Sequence, residues 1–112
     1  MVIKPILPSL REKKRYIVYE MISDKKFKFK EAKETMDRVI LKFLGELGYS
    51  KAGIIHLDNF KNNKGIIRVN HKEVDNVKTS LMLIEKINNH KVLVKTNLVT
   101  GLLNKAKNMV ER

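Results

Sequence analysis

Two side chains that could begin a metal or acid–base site stand two residues apart, at His56 and Asp58. Residues two apart in a strand lie on the same face, so this pair could approach one ion. Such a site needs a third converging group, but His71 stands elsewhere in the chain and His90 falls in a predicted turn. The phosphate-loop, GxSxG and HExxH motifs are absent from the sequence. We therefore interpret the histidines as surface residues, and a small metal-dependent nuclease stays open as an alternative.

The binding of a polyanion is the second chemistry that the residues favour. Basic runs at 11–15 (Arg-Glu-Lys-Lys-Arg) and 25–30 (Lys-Lys-Phe-Lys-Phe-Lys) bracket an apolar stretch at 16–19. The formal net charge is +12 over 112 residues, from 24 basic and 12 acidic side chains. A nucleic-acid backbone releases counterions as each phosphate is neutralised, whereas solubility alone needs less charge. The pattern favours nucleic-acid binding, with a protein-interaction module of incidental basic charge as the alternative.

Composition limits the remaining classes. The length fits one domain, and 43% hydrophobic residues suffice for a core. Because cysteine is absent, disulfides and thiolate metal sites are excluded, and a cytoplasmic location is expected. No apolar run reaches the length of a membrane span, so we expect no membrane association. Both prolines lie in the first ten residues, which predicts an extended basic arm at 1–14 before a single domain at 15–112.

Hydrophobic spacing predicts the elements that would position these side chains. Residues 15–23 are apolar on alternate positions of both faces, which predicts a central strand. A helix is predicted from Phe29, with Phe43, Leu44 and Leu47 on its buried face and Gly48 ending it. The elements that follow are strand 52–60, a turn at 61–65, strand 66–70, helix 72–87, strand 91–98 and a short C-terminal helix.

This order predicts an α+β fold, the split βαβ sandwich that ferredoxin-like and RNA-recognition-motif-like domains share. It has a four-stranded antiparallel sheet with helices on one face, plus the added C-terminal helix. On the other face we expect Arg68 and Lys95, where RNA could contact them. Lys64 and the next glycine match the opening of the RNA-binding signature of such domains. Aliphatic residues and Asn70 replace its aromatic positions, so we expect contacts to phosphate and RNA shape rather than base stacking.

One known family shares several of these segments. Residues 7–17 (Leu-Pro-Ser-Leu-Arg-Glu-Lys-Lys-Arg-Tyr-Ile) resemble the opening of archaeal ribonuclease P protein component 2, which is related to a eukaryotic subunit of the same enzyme. Segments 44–48, 65–69, 72–74 and 99–101 are similar to later parts of that family, in the same order.

The resemblance implies a non-catalytic, RNA-binding subunit of a ribonucleoprotein that removes the 5′ leader from precursor transfer RNA. The ribonuclease P RNA would be the catalyst, and this RNA is expected to need magnesium; no cofactor is expected on the protein itself. The protein would brace the catalytic domain of the RNA together with component 3, a TIM-barrel-like protein, in a heterotetramer with two copies of each. Other ribonuclease P protein subunits would complete the holoenzyme.

The resemblance also implies roles for individual residues. Arg11, Lys13, Lys14 and Arg15 would neutralise phosphates, and Arg68 would contact RNA from the third strand. With Lys64 and Lys95 they complete the predicted RNA-binding set.

The sequence departs from the family pattern in two places: Asn70 and His71 replace expected basic residues, and Leu102 replaces a small hydroxyl residue. Candidates for a partner-binding surface stand in the C-terminal helix: Leu102, Leu103, Met109 and Val110. Packing of these side chains on the domain's own core is the alternative.

Overall fold

The computed structural model describes residues 13–112, which form one four-stranded antiparallel sheet with three helices and a small hairpin. The strands and helices are β1 (Lys14–Ile22), α1 (Phe29–Ala52), β2 (Ile55–His56), β3 (Lys64–Asn70), α2 (Val74–Met82), β4 (Lys86–Ile87), β5 (His90–Lys91), β6 (Leu93–Thr100) and α3 (Leu103–Glu111). A 3-10 turn (His71–Glu73) leads from β3 into α2. None of the described helices is long and apolar enough to cross a membrane.

The sheet order is β2-β3-β1-β6, and β1 pairs antiparallel with both β3 and β6. This is the predicted topology, with β1 at the centre. The central position explains why both faces of β1 are apolar. Ile17 and Met21 join the core beneath α1 and α2, whereas Val18 on the other face packs against α3. The α+β fold class predicted from the sequence is therefore confirmed.

The comparison with RNA recognition motifs predicted that the second face of the sheet would be open. In the structure this face is partly covered. Helix α3 lies on it and buries Ala106 and Val110 against Val18 and Ile66. The amphipathic spacing of α3 requires an apolar surface, and the nearest one is the face that α1 and α2 leave uncovered. A large part of the surface on which we expected RNA contacts is thus buried under the chain's own helix.

Helix α1 does not end at Gly48, so that prediction is wrong. The helix continues to Ala52, and Gly53 closes it in the left-handed conformation with φ 59°. Gly45 interrupts it with φ 76°, which an L-residue adopts only with strain. Phe43 (45% exposed) and Leu47 (69% exposed) are not the core residues that their spacing predicted, although Ala52 at the end of the helix is fully buried.

Three other boundaries differ from prediction. The predicted strand 52–60 is reduced to Ile55–His56, and helix 72–87 ends at Met82. The segment after α2 forms the hairpin of β4 and β5, whose turn is Asn88–Asn89, both with positive φ. Asn62–Asn63 form the same kind of turn before β3. Asparagine tolerates positive φ better than most residues, which explains the choice of residue at both turns.

Candidate nucleic-acid interface

Antiparallel pairing gathers basic side chains at one end of the sheet. Lys14 pairs with Asn70 and Tyr16 pairs with Arg68, so the start of β1 lies beside the end of β3. Lys13, Lys14 and Arg15 therefore come close to Arg68, although more than fifty residues separate them in the sequence. We call this end of the sheet the basic end. Four of the seven predicted RNA-binding residues lie here, and Arg11 lies outside the described part of the chain.

The basic end is held by specific contacts. Lys13 is exposed, and its carbonyl oxygen accepts a bond from the backbone N–H of His71 at 2.8 Å. Lys14 Nζ donates to Asn70 Oδ1. Arg15 Nη1 donates to the carbonyl oxygen of Lys14 at 3.0 Å, and a Cβ on Gly101 would lie 3.3 Å from the same nitrogen. The three cations thus differ, because Lys13, just before β1, is exposed whereas Lys14 and Arg15 are half-buried.

Arg68 lies on the sheet face that α3 partly covers, as the strand alternation predicted. It is flanked across the strands by Tyr16 and Ile55 and is half-buried. Its Nε is buried without a hydrogen-bond acceptor among residues 13–112. A guanidinium has five N–H donors, so Arg68 keeps donor capacity for an anion.

Lys64 and Lys95 do not belong to the basic end. Both pair with Glu20, on the opposite half of the sheet. Six residues separate Glu20 from Lys14, which is roughly 20 Å along a strand. Lys64 Nζ donates to the backbone carbonyl of Arg112 at 3.2 Å, whereas Lys95 is exposed. These two predicted contacts lie close to an acidic side chain, which weakens their attraction for phosphate.

The structure adds three basic residues to this surface that the sequence reading missed: Lys51, His71 and Lys72. Asn70 connects them to the predicted set, because its Nδ2 donates to the carbonyl oxygen of Lys51 while its Oδ1 accepts from Lys14. The pairing register of β1 with β3 places Asn70 beside Lys14, and predicting that register would have located these residues at the basic end. Asn70, which looked like a loss of positive charge, instead organises the charges around it.

The C-terminal residues predicted to face a partner separate into two groups. Val110 is 1% exposed and belongs to the chain's own core, and Leu103 and Met109 are half-buried. Leu102 alone of the four is exposed, at 66%. Packing on the domain's own core, the alternative given above, therefore holds for Val110.

The end of the sheet opposite the basic end carries a larger exposed apolar surface than the single residue Leu102 provides. Ile22 (49% exposed), Met82 (72%) and Leu93 (58%) line one groove of about 600 Å³. Next to Met82, the exposed Leu83 lines a second groove with Phe43. We call the three side chains of the first groove the apolar end. Exposed apolar surface of this kind is typical of protein interfaces.

His56 does not form a site with Asp58. Its Nε2 lies 2.7 Å from Asp37 Oδ1, and the hydroxyl of Tyr49 donates to the same oxygen at 2.9 Å. Strand β2 ends at His56, and Asp58 is an exposed residue beyond it. Among residues 13–112, no three His, Asp or Glu side chains come together as metal ligands. The expectation that His56 and Asp58 share a strand face is therefore wrong, and the alternative of a metal-dependent nuclease has no support.

Burial explains the ionisation of this group. Desolvation lowers the pKa of His56 below its ordinary value of 6.5, and the bond to Asp37 opposes this in part. We assign the neutral ring with Nε2–H donating to Asp37, because Nδ1 is buried without a partner in the described chain. Burial, and then the bond to Asp37, raises the pKa of Tyr49 to about 12. The three side chains join α1 to β2.

Comparisons with known proteins agree on one family. Residues 15–111 match the model of the Rpp14/Pop5 family. "Ribonuclease P protein component 2" of Pyrococcus furiosus is 39% identical over 93% of this chain and 88% of its own length. The Methanocaldococcus jannaschii protein of that name is 35% identical over 94% of this chain and 78% of its own length. A chain in the cryo-EM structure of yeast ribonuclease MRP has the same fold, with a TM-score of 0.67, 11% identity, and coverage of 90% of this chain and 88% of that one.

Proposed function

The chain belongs to the Rpp14/Pop5 family, and from this premise we propose that it is an RNA-binding protein subunit of ribonuclease P that supports removal of the 5′ leader from precursor transfer RNA. Curated relatives named as ribonuclease P component 2 match nearly its whole length, so membership in the ribonucleoprotein follows from the family. The observation that best supports RNA binding is the basic end, where cations from β1 and β3 converge.

The chemical step is proposed to belong to the RNA subunit, together with the magnesium that this RNA needs. Among residues 13–112, no three His, Asp or Glu side chains could together hold a metal ion, which supports this division. The protein would contribute by neutralising phosphates, which lowers the repulsion within the folded RNA. Action in the cytoplasm is part of the same proposal, since precursor transfer RNA is the substrate of the complex.

Contacts at the basic end are proposed to be phosphate contacts with little base readout. Lys13 and Arg15 present charge at the start of β1, whereas the tyrosine side chains of that strand are unsuited to stacking. Tyr19 is buried in the core, and Tyr16 packs beside α3. Affinity should therefore depend strongly on salt and weakly on sequence.

A protein partner is proposed for the apolar end, and component 3 is the partner that the family resemblance implies, in a heterotetramer with two copies of each. The apolar end lies on the half of the sheet away from the basic end, so one chain could hold RNA and protein at once. Its side chains are exposed in a single groove, whereas Leu102 is an isolated exposed residue next to the basic end.

The partner surface can be tested with two matched charge substitutions. Met82→Glu should abolish co-elution with component 3 in size-exclusion chromatography, because a carboxylate would be desolvated in an apolar interface. Leu102→Glu, at a residue of similar exposure, should leave co-elution unchanged. The opposite pattern would move the partner surface to the start of α3, as the sequence alone predicted.

Reconstitution tests the proposed function itself. We would measure precursor transfer RNA cleavage at limiting magnesium by the RNA alone, the chain alone, and the RNA with the chain and component 3. Stimulation in the complete mixture, without cleavage by the chain alone, is the expected result. Cleavage by the chain alone would contradict the proposal that the RNA subunit carries out the chemical step. No stimulation in any mixture would contradict the proposed role as a subunit of ribonuclease P.

A further inference from the structure

A cavity next to the basic end has the composition of an anion site. It has a volume of about 310 Å³ and is lined by Lys51, Asn70, His71, Lys72 and Glu73. This is far more than the roughly 30 Å³ that one water molecule occupies in the liquid. Two lysines and a histidine from two separate parts of the chain meet there, with one carboxylate.

The cavity is built on a buried polar side chain. Asn70 is 6% exposed and is fixed on both sides, by Lys14 at Oδ1 and by the Lys51 carbonyl at Nδ2. The second contact satisfies one of the free carbonyl groups at the end of α1, where the helix dipole would otherwise repel an anion. Asn70 thus reduces the negative field on that side of the cavity and holds β3 against the end of α1.

The other side of the cavity carries donors and cations. Both the N–H and the ring Nδ1 of His71 approach the carbonyl oxygen of Lys13, at 2.8 and 3.2 Å, which fixes the ring and leaves Nε2 unengaged by that carbonyl. Lys51 and Lys72 are exposed and can turn toward the cavity. Glu73 is directed to Asn76, whose Nδ2 donates to its Oε2 at 3.0 Å.

From this arrangement we propose that the cavity binds one phosphate group of the RNA backbone, held jointly by Lys51 and Lys72. The inference rests on the proposed function, since it names the contact through which the RNA would be positioned. The phosphate would extend the basic end by one contact beyond Lys13, Arg15 and Arg68. Because both lysines would hold the same phosphate, their contributions to the salt dependence of binding should not add.

The test compares Lys51→Ala, Lys72→Ala and the double variant, with Lys86→Ala as the matched control. Lys86 is also exposed, and it lies beyond the far end of α2, roughly 14 Å or more from the cavity by the length of that helix. Binding of the full chain to ribonuclease P RNA would be measured between low and physiological salt. Melting curves of all variants would be recorded, and the exposure of the lysines predicts unchanged folding.

We expect each single variant to bind more weakly with a nearly unchanged salt slope, because the remaining lysine still neutralises the phosphate. The double variant should lose about 0.7–0.9 in slope, the value of one phosphate contact. Twice that loss would mean two separate phosphates and would overturn the shared site. A slope equal to that of Lys86→Ala would overturn any phosphate contact there.

Two further measurements test the phosphate site in the cavity separately from the proposed function of the chain. Glu73→Gln removes the lining carboxylate and should raise RNA affinity roughly 1.5- to 5-fold, the equivalent of one exposed charge pair. Titration with inorganic phosphate should shift the backbone amide resonances of His71 and Lys72 in the original chain but not in the double variant. If the original chain binds RNA normally but neither the affinity gain nor the amide shifts are seen, the phosphate site in the cavity is refuted and the proposed function is not. Absence of RNA binding by the original chain refutes the proposed function and the pocket together.

Discussion

The substitution Gly65→Ala, which adds one methyl group, tests whether this glycine is needed for packing or for contact with RNA. The sequence shows Lys64 and Gly65 at the opening of a strand, where RNA-binding domains of this topology carry a basic residue and a glycine. In the structure Gly65 is buried and pairs directly with Tyr19 on β1. A Cβ at Gly65 would overlap the Tyr19 hydroxyl and lie 2.6 Å from Cζ of that ring and 3.0 Å from Cδ2 of Phe60. Glycine is therefore needed for packing rather than for close approach of RNA to the backbone.

The expected cost of Gly65→Ala follows from this geometry. Tyr19 is fully buried and Phe60 packs against it, with ring centroids 6.4 Å apart, so neither ring can move freely. Overpacking of a filled core costs about 1–3 kcal/mol. At this chain length 1 kcal/mol corresponds to about 4 °C in Tm, so we expect a decrease of roughly 4–12 °C.

Thermal unfolding and RNA binding, measured on the same variants, test this reasoning. Tyr19→Phe removes the overlapping oxygen, and that hydroxyl has no hydrogen-bond partner among residues 13–112. Gly65→Ala should therefore cost less in the Tyr19→Phe background, with a coupling of about 0.5 kcal/mol or more. At temperatures well below Tm, the salt slope of RNA binding should equal that of the original chain. An unchanged Tm together with a loss of RNA affinity would refute the packing account and assign Gly65 to the RNA interface.

Three other predictions follow from named contacts. Because burial lowers the pKa of His56, the unfolded chain binds more protons below about pH 6.5, so the free energy of unfolding should fall as pH decreases through that value. His56→Ala should reduce this pH dependence, measured by urea unfolding at several pH values, and should leave reconstituted cleavage intact; lost cleavage would contradict a structural role. Val110→Ala should lower the free energy of unfolding by about 1.5–3 kcal/mol, since two buried methyl groups are lost between α3 and the sheet. A change under about 0.5 kcal/mol, measured by urea unfolding, would show that α3 does not cover the sheet in solution. Replacing Lys13 and Arg15 with Ala should lower the salt slope of RNA binding by up to about 0.9 for each lost phosphate contact, and an unchanged slope would remove β1 from the interface.

The first helix shows how far sequence periodicity could be carried. The buried side chains Ala32, Met36 and Ile40 of α1 follow the predicted spacing of three and four residues. The same spacing continues through Phe43 and Leu47, but these side chains are exposed, and the helical geometry is broken at Gly45 between them. Periodicity reports which side of a helix is apolar, whereas burial depends on whether another element lies opposite that side.

The second face of the sheet shows the same limit. The alternation in β1 and β3 correctly put Arg68 on the face opposite α1 and α2. That α3 buries Val18 and Ile66 on this face depends on where the chain returns after β6, which is a long-range event. The resemblance to a family opening could therefore suggest an RNA-binding surface without showing that part of it is covered.

The order of the main elements, the central position of β1, the excess of positive charge and the family could all be predicted from the amino-acid sequence. Each of these is local or additive: alternation, spacing, composition and segment similarity can be read without knowing which residues meet. The tertiary structure decided which charges act together. It separated Lys64 and Lys95 from the basic end, paired His56 with Asp37, and gathered Lys51 and Lys72 around Asn70. These outcomes depend on strand register and helix docking, which place residues side by side that lie 19 to 56 positions apart in the chain.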